Sequence, residues 1–97
     1  MATLHVEQTV SDFDAFKRMF DTDPADRKGS GVTGYRMSRA ADDPNHVLID
    51  MELDSVESAQ ALLGKLKEVW KSPQASALLT EAPQATVTEV VETKILP

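Results

Sequence analysis

The chain contains no cysteine. That removes disulfides, thiolate metal sites and cysteine nucleophiles together. Aromatic side chains are scarce, with one Trp, one Tyr and three Phe, and there are four glycines. No Gly-rich phosphate loop, H-E-x-x-H helix or Ser-His-Asp arrangement can be read in it. No apolar run approaches the ~18 residues that a membrane helix needs. The opening Met1-Ala2-Thr3-Leu4-His5-Val6-Glu7 has neither the basic start nor the apolar core of a secretory signal, so a cytoplasmic location is expected. Positive charge is also in deficit: 10 Lys and Arg against 16 Asp and Glu give a formal net charge of −6. This argues against nucleic acid and membrane surfaces as partners. What remains is 97 residues, 41% hydrophobic and 27% charged, the profile of one folded domain over 1–97.

Residues 2–10 alternate, with Leu4, Val6 and Val10 on one side and His5, Glu7 and Thr9 on the other, which predicts a strand. Phe13, Phe16 and Phe20 recur at helical spacing and predict a helix over 12–21, with Ser11 and Asp14 as a weak capping box. After a polar loop, residues 32–40 read as a second strand and 46–53 as a third, with Ala41-Asp42-Asp43-Pro44-Asn45 as the hairpin turn. Ala59, Leu62, Leu63, Leu66, Val69 and Trp70 form the clearest helical stripe, capped by Asp54 with Glu57 or by Ser55. Ser72-Pro73 predicts a short third helix over 73–81, and the Val- and Thr-rich 85–95 a last strand. The order β-α-β-β-α-(α)-β is the ferredoxin-like α+β arrangement: an antiparallel four-stranded sheet with helices on one face.

In that topology the first and third strands are central neighbours. Leu4, Val6, Val10, Val47, Ile49, Met51 and Leu53 should meet the helices. A one-residue slip would instead bury His5, Glu7, Asp50 and Glu52, at several kcal/mol per unpaired charge. The opposite face therefore carries His5, Glu7, Thr9, Leu48, Asp50 and Glu52, joined from the second strand by either Tyr35, Met37 and Arg39 or Arg36 and Ser38, and from the last by residues such as Val90 or Val91. If two such faces pack across a two-fold axis, they enclose a polar cavity in a homodimer. His5 and Asp50 are the candidate catalytic pair, because imidazole beside carboxylate makes a workable proton shuttle. Glu7, Tyr35, Arg36, Glu52 and Trp70 are the candidate substrate-binding residues; an arginine here could hold a carboxylate or enolate. Asp42, Asp43, Asn45 and His46 look superficially like metal ligands, but turn chemistry accounts for them, and no metal is expected.

The stretch Val10-Ser11-Asp12-Phe13-Asp14-Ala15-Phe16-Lys17, followed by Phe20-Asp21, resembles the V-x-D-[FY]-D-x-[FW]-K opening of one branch of the dimeric α+β barrel superfamily. Asp42-Asp43-Pro44-Asn45 is similar to its hairpin turn, and Ser72-Pro73 fits its pattern after the second helix. The superfamily includes antibiotic-biosynthesis-monooxygenase-like proteins and polyketide cyclases. The resemblance implies a dimeric α+β barrel and a cyclase, isomerase or cofactor-independent monooxygenase acting on a small aromatic or polyketide-like molecule, with no cofactor. The alternatives are a non-catalytic small-ligand-binding protein and a stress-type dimerisation module. Cofactor-free monooxygenases of the superfamily use a Trp with an Asn nearby; here Trp70 is preceded four residues earlier by Leu66, and the single Asn is Asn45. Haem-degrading members hold iron with a histidine from the second half of the chain, and no histidine follows His46.

Overall fold

A computed structural model describes residues 1–97. Strand β1 spans Ala2–Thr9, helix α1 Phe13–Asp21, β2 Val32–Ala40, β3 Asp43–Leu53, α2 Val56–Trp70, α3 Pro73–Leu78 and β4 Gln84–Glu89. The strands form one antiparallel sheet in the order β2-β3-β1-β4, so β1 and β3 are central as expected. No helix is long and apolar enough to cross a membrane.

Strict alternation builds the core. Ala2, Leu4 and Val6 of β1 and Val47, Ile49, Met51 and Leu53 of β3 are buried, and they meet Phe16 of α1 and Ala59 and Leu62 of α2. Fully burying side chains of this size contributes about 1.5–3 kcal/mol each. The intervening residues of β1 are only half-buried, whereas Gln8 shares the parity of Leu4 and Val6 and is buried with them.

Several element ends differ from the sequence expectation. The cap of α1 is Asp12 rather than Ser11: its Oδ1 accepts from the N–H of Asp14 at 3.0 Å and of Ala15 at 3.3 Å. At α2 the cap is Ser55 rather than Asp54, accepting from the Ser58 N–H at 3.1 Å. Ser72 caps α3 as expected, but that helix ends at Leu78. The hairpin turn is tighter than expected, because Ala40 already pairs with Asp43 and only Ala41 and Asp42 lie outside the strands. Strand β4 ends at Glu89, opposite Ala2. Beyond that point β1 offers no residue to pair with, and the final ladder-like bond runs from the Val90 N–H to the Met1 carbonyl at 3.1 Å.

Candidate functional site

The open face of the sheet carries the polar half of the alternation. Across β1 and β3 the opposed pairs are Thr3 with Glu52, His5 with Asp50, Glu7 with Leu48 and Thr9 with His46. Opposed residues share a face with Cβ atoms about 4.5–5.5 Å apart, close enough for side chains to bond. His5 Nδ1 lies 2.5 Å from Asp50 Oδ1. The Thr3 hydroxyl donates to Glu52 Oε2 at 3.0 Å. Glu7 Oε1 lies 3.9 Å from His5 Nε2 and 3.8 Å from His46 Nε2. His46 Nδ1 in turn stands 3.2 Å from the Thr9 hydroxyl. His46, Glu7, His5 and Asp50 thus form a row along the two central strands. The side chains of His5, Glu7 and Asp50 keep 32%, 37% and 42% of their exposure, so these pairs stabilise the fold by no more than about 1 kcal/mol each.

The flanking strands complete this face. Arg36 of β2 opposes Asp50, and Ser38 opposes Leu48. Thr86 and Thr88 of β4 oppose His5 and Thr3. A shallow depression of about 610 Å³ is lined by Thr3, His5, Gly34, Tyr35, Arg36, Asp50, Glu52 and Thr88. It falls within the ~300–1,000 Å³ typical of small-molecule sites. Among the expected site residues, His5, Asp50, Arg36, Glu52 and Tyr35 therefore line one depression, and Glu7 lies beside it.

Trp70 does not join them, and Tyr35 lines the depression while its ring packs toward the helix side. Tyr35 opposes Met51 and so takes the helix-side parity. Its ring meets Phe20 edge-on at 5.3 Å, with the Arg27 guanidinium 5.2 Å from its centroid and 3.8 Å from that of Phe20. Trp70 ends α2 on the far side of the sheet. There it borders an apolar cavity of about 50 Å³ with Val6, Phe16, Ile49, Leu66 and the buried Gln8. The strand-face alternatives resolve the same way: Arg36 and Ser38 occupy the open face, Met37 and Arg39 the helix side, while Val90 and Val91 lie past the end of β4.

Two residues escaped the sequence reading. His46 opens the strand expected over 46–53 but is not among the expected site residues, yet its even spacing to Leu48 and Asp50 places it on the open face, and β3 begins three residues earlier. Gln8 was passed over because its polarity conflicts with its parity. No group of three or more His, Asp or Glu converges as a metal ion would require; the row is linear rather than clustered.

No family model matches the chain. No curated protein matches it either. Solved structures do. SnoaB, a cofactor-independent oxygenase from Streptomyces nogalater, is 18% identical over 95% of this chain and 94% of its own, with a TM-score of 0.73. A dimeric ferredoxin-like protein from an uncultured marine organism is 12% identical over 98% of both chains, with a TM-score of 0.66. An antibiotic biosynthesis monooxygenase is 9% identical, covering 95% of this chain and all of its own (100%), at a TM-score of 0.58. The chain thus has the ferredoxin-like α+β fold of the antibiotic-biosynthesis-monooxygenase-like structures.

Proposed function

We propose that the chain is a homodimeric small-molecule enzyme of the cyclase, isomerase or cofactor-independent monooxygenase type, and that His5 removes a proton from an enol or phenol bound on the open sheet face. The observation that carries this reading is the His5–Asp50 bond of 2.5 Å at the floor of the depression. Bonding through Nδ1 leaves Nε2 without a close partner, since Glu7 is 3.9 Å away. With the proton on Nδ1 held by Asp50, Nε2 is the acceptor. When it takes the substrate proton, the Asp50 carboxylate stabilises the imidazolium. Arg36, on the neighbouring strand, is placed to hold the oxyanion left behind. Proton removal of this kind opens isomerisation, cyclisation and direct reaction with oxygen alike. In one copy the depression is open; a second sheet packed on it would exclude water and strengthen each of these interactions. The dimeric ferredoxin-like relative and the cofactor-independent oxygenase support this reading.

The test is exchange for solvent deuterium of the C–H beside the hydroxyl-bearing carbon, which the oxyanion formed by His5 activates toward protonation, followed by mass spectrometry on polyhydroxylated aromatic ketones. Wild type should outpace both His5→Ala and Asp50→Asn by about 10²-fold or more, as for a general base. Equal rates in all three would sink it.

The apolar cavity beside Trp70 favours a second reading, a non-catalytic protein that takes a small apolar ligand between helices and sheet. Trp70 is the only tryptophan, so its fluorescence reports this side of the sheet and not the open face. A ligand that quenches Trp70 and ignores His5→Ala belongs there; a substrate on the open face should do neither.

A further inference from the structure

Glu7 stands between two imidazoles on the open face. Its Oε1 lies 3.9 Å from His5 Nε2 and 3.8 Å from His46 Nε2. On the far side of each ring, Asp50 Oδ1 meets His5 Nδ1 at 2.5 Å and the Thr9 hydroxyl meets His46 Nδ1 at 3.2 Å. Every ring nitrogen of the row therefore faces an oxygen. A neutral imidazole has one N–H and one lone pair, whereas the charged ring donates from both nitrogens. His46 is matched in its neutral form, with Nε2–H toward Glu7 and Nδ1 accepting from Thr9. His5 is not. Both of its neighbours are carboxylates, so one nitrogen of the neutral ring always turns a lone pair on a negative oxygen. Only the charged ring suits both.

The charge of the whole face points the same way. Strand β1 contributes His5 and Glu7, β3 His46, Asp50 and Glu52, and β2 Arg36, while β4 contributes the uncharged Gln84, Thr86 and Thr88. Three carboxylates against one guanidinium leave two negative charges in excess, and protonation of both imidazoles cancels them. We propose that protonation of His5 and His46 controls self-association: the open faces of two copies close on one another when both rings are charged and separate when the rings are neutral. The inference rests on the homodimer proposed above. Imidazole is the side chain that ordinarily changes charge between pH 5 and 8, so the control operates in that interval. Closure excludes water and lowers the local dielectric, which sharpens both the repulsion between like faces and the mismatch at His5. By linkage, a dimer that favours the charged rings takes up protons as it forms, so its affinity rises as pH falls. The imidazolium left on His5 by a substrate proton is the same charged state, and the closed pair favours it too.

Sedimentation equilibrium at low salt tests this. Between about pH 8 and about pH 6 the dimer dissociation constant should fall about tenfold or more, with an unchanged far-ultraviolet circular dichroism spectrum. His5→Gln and His46→Gln together should abolish that dependence, and either alone should keep only part of it. Glu7→Gln should tighten the dimer at the higher pH, where it removes a carboxylate from an excess of them. Added salt should tighten the dimer at the higher pH and cease to do so at the lower. A dimer too tight to dissociate is read instead by subunit exchange between copies carrying different fluorophores, which should slow over the same interval. A dimer with the same affinity and exchange rate at both pH values overturns the proposal and leaves the homodimer standing. So does a pH dependence that survives in the double variant. A chain that is monomeric at every pH overturns both. If the double variant fails to fold, the single variants decide, and an undiminished dependence in each overturns the proposal.

Discussion

Gln8 is the buried polar side chain of this protein, 4% exposed beside an apolar cavity, and its amide makes no hydrogen bond within the chain. No side-chain nitrogen or oxygen is both fully buried and without a partner, so the amide keeps a path to solvent, and its partial desolvation costs less than the ~1–3 kcal/mol of an unsatisfied buried amide. Gln8→Met keeps the length and removes the polar group, so it should raise stability by up to about 1 kcal/mol, or at most roughly 4–8 °C in melting temperature. Calorimetry checks this; an unchanged or lower value would mean that ordered water already satisfies the amide. At this scale the sequence was legible wherever chemistry and parity agreed. His5 and Asp50 face each other because each is flanked by residues that must be buried. It was illegible at Gln8, where parity overrides polarity, and at Tyr35, whose amphipathic ring suits either face and is settled by Phe20 and Arg27.

Element boundaries depend on neighbours and caps. Ser55, not Asp54, accepts from the first turn of α2. Ser55→Ala should therefore cost about 1 kcal/mol, whereas Asp54→Ala should stay within about 0.5 kcal/mol. Urea titration compares the two, and the reverse order would reassign the cap. In the same helix Gly64 is exposed, with open space where a Cβ would sit. Gly64→Ala should accordingly stabilise by up to about 1 kcal/mol, read as an increased denaturation midpoint with unchanged slope. The helices and the three earlier strands were visible in the hydrophobic spacing, since each carries its own periodicity. The end of β4 was not, because it is set by where β1 begins, a fact about another segment. The Ser-versus-Asp choice at α2 was similarly hidden, as both residue types cap and only backbone direction separates them.

For the molecule as a whole, the open face carries Glu7, Asp50 and Glu52 against Arg36 as its one permanent positive charge. Two such faces brought together repel. Screening lengths shrink from roughly 10 Å at 0.1 M salt to about 3 Å at 1 M. A dimer formed through this face should therefore tighten as salt increases, measured by sedimentation equilibrium. Tightening at low salt would place the interface elsewhere. The position of β1 has a consequence for how the chain is assembled in time. It precedes every other element along the chain, yet it lies in the middle of the sheet, bonded to a strand 45 positions later through His5 and Asp50 and to one 85 positions later through Thr3 and Thr88. Such distant closures come late, because loop entropy opposes them until both strands exist. During synthesis β1 must wait with its apolar face uncovered until α2 has emerged and with one edge unpaired until β4 has, so a nascent chain stalled before residue 84 should be prone to aggregate through that open edge.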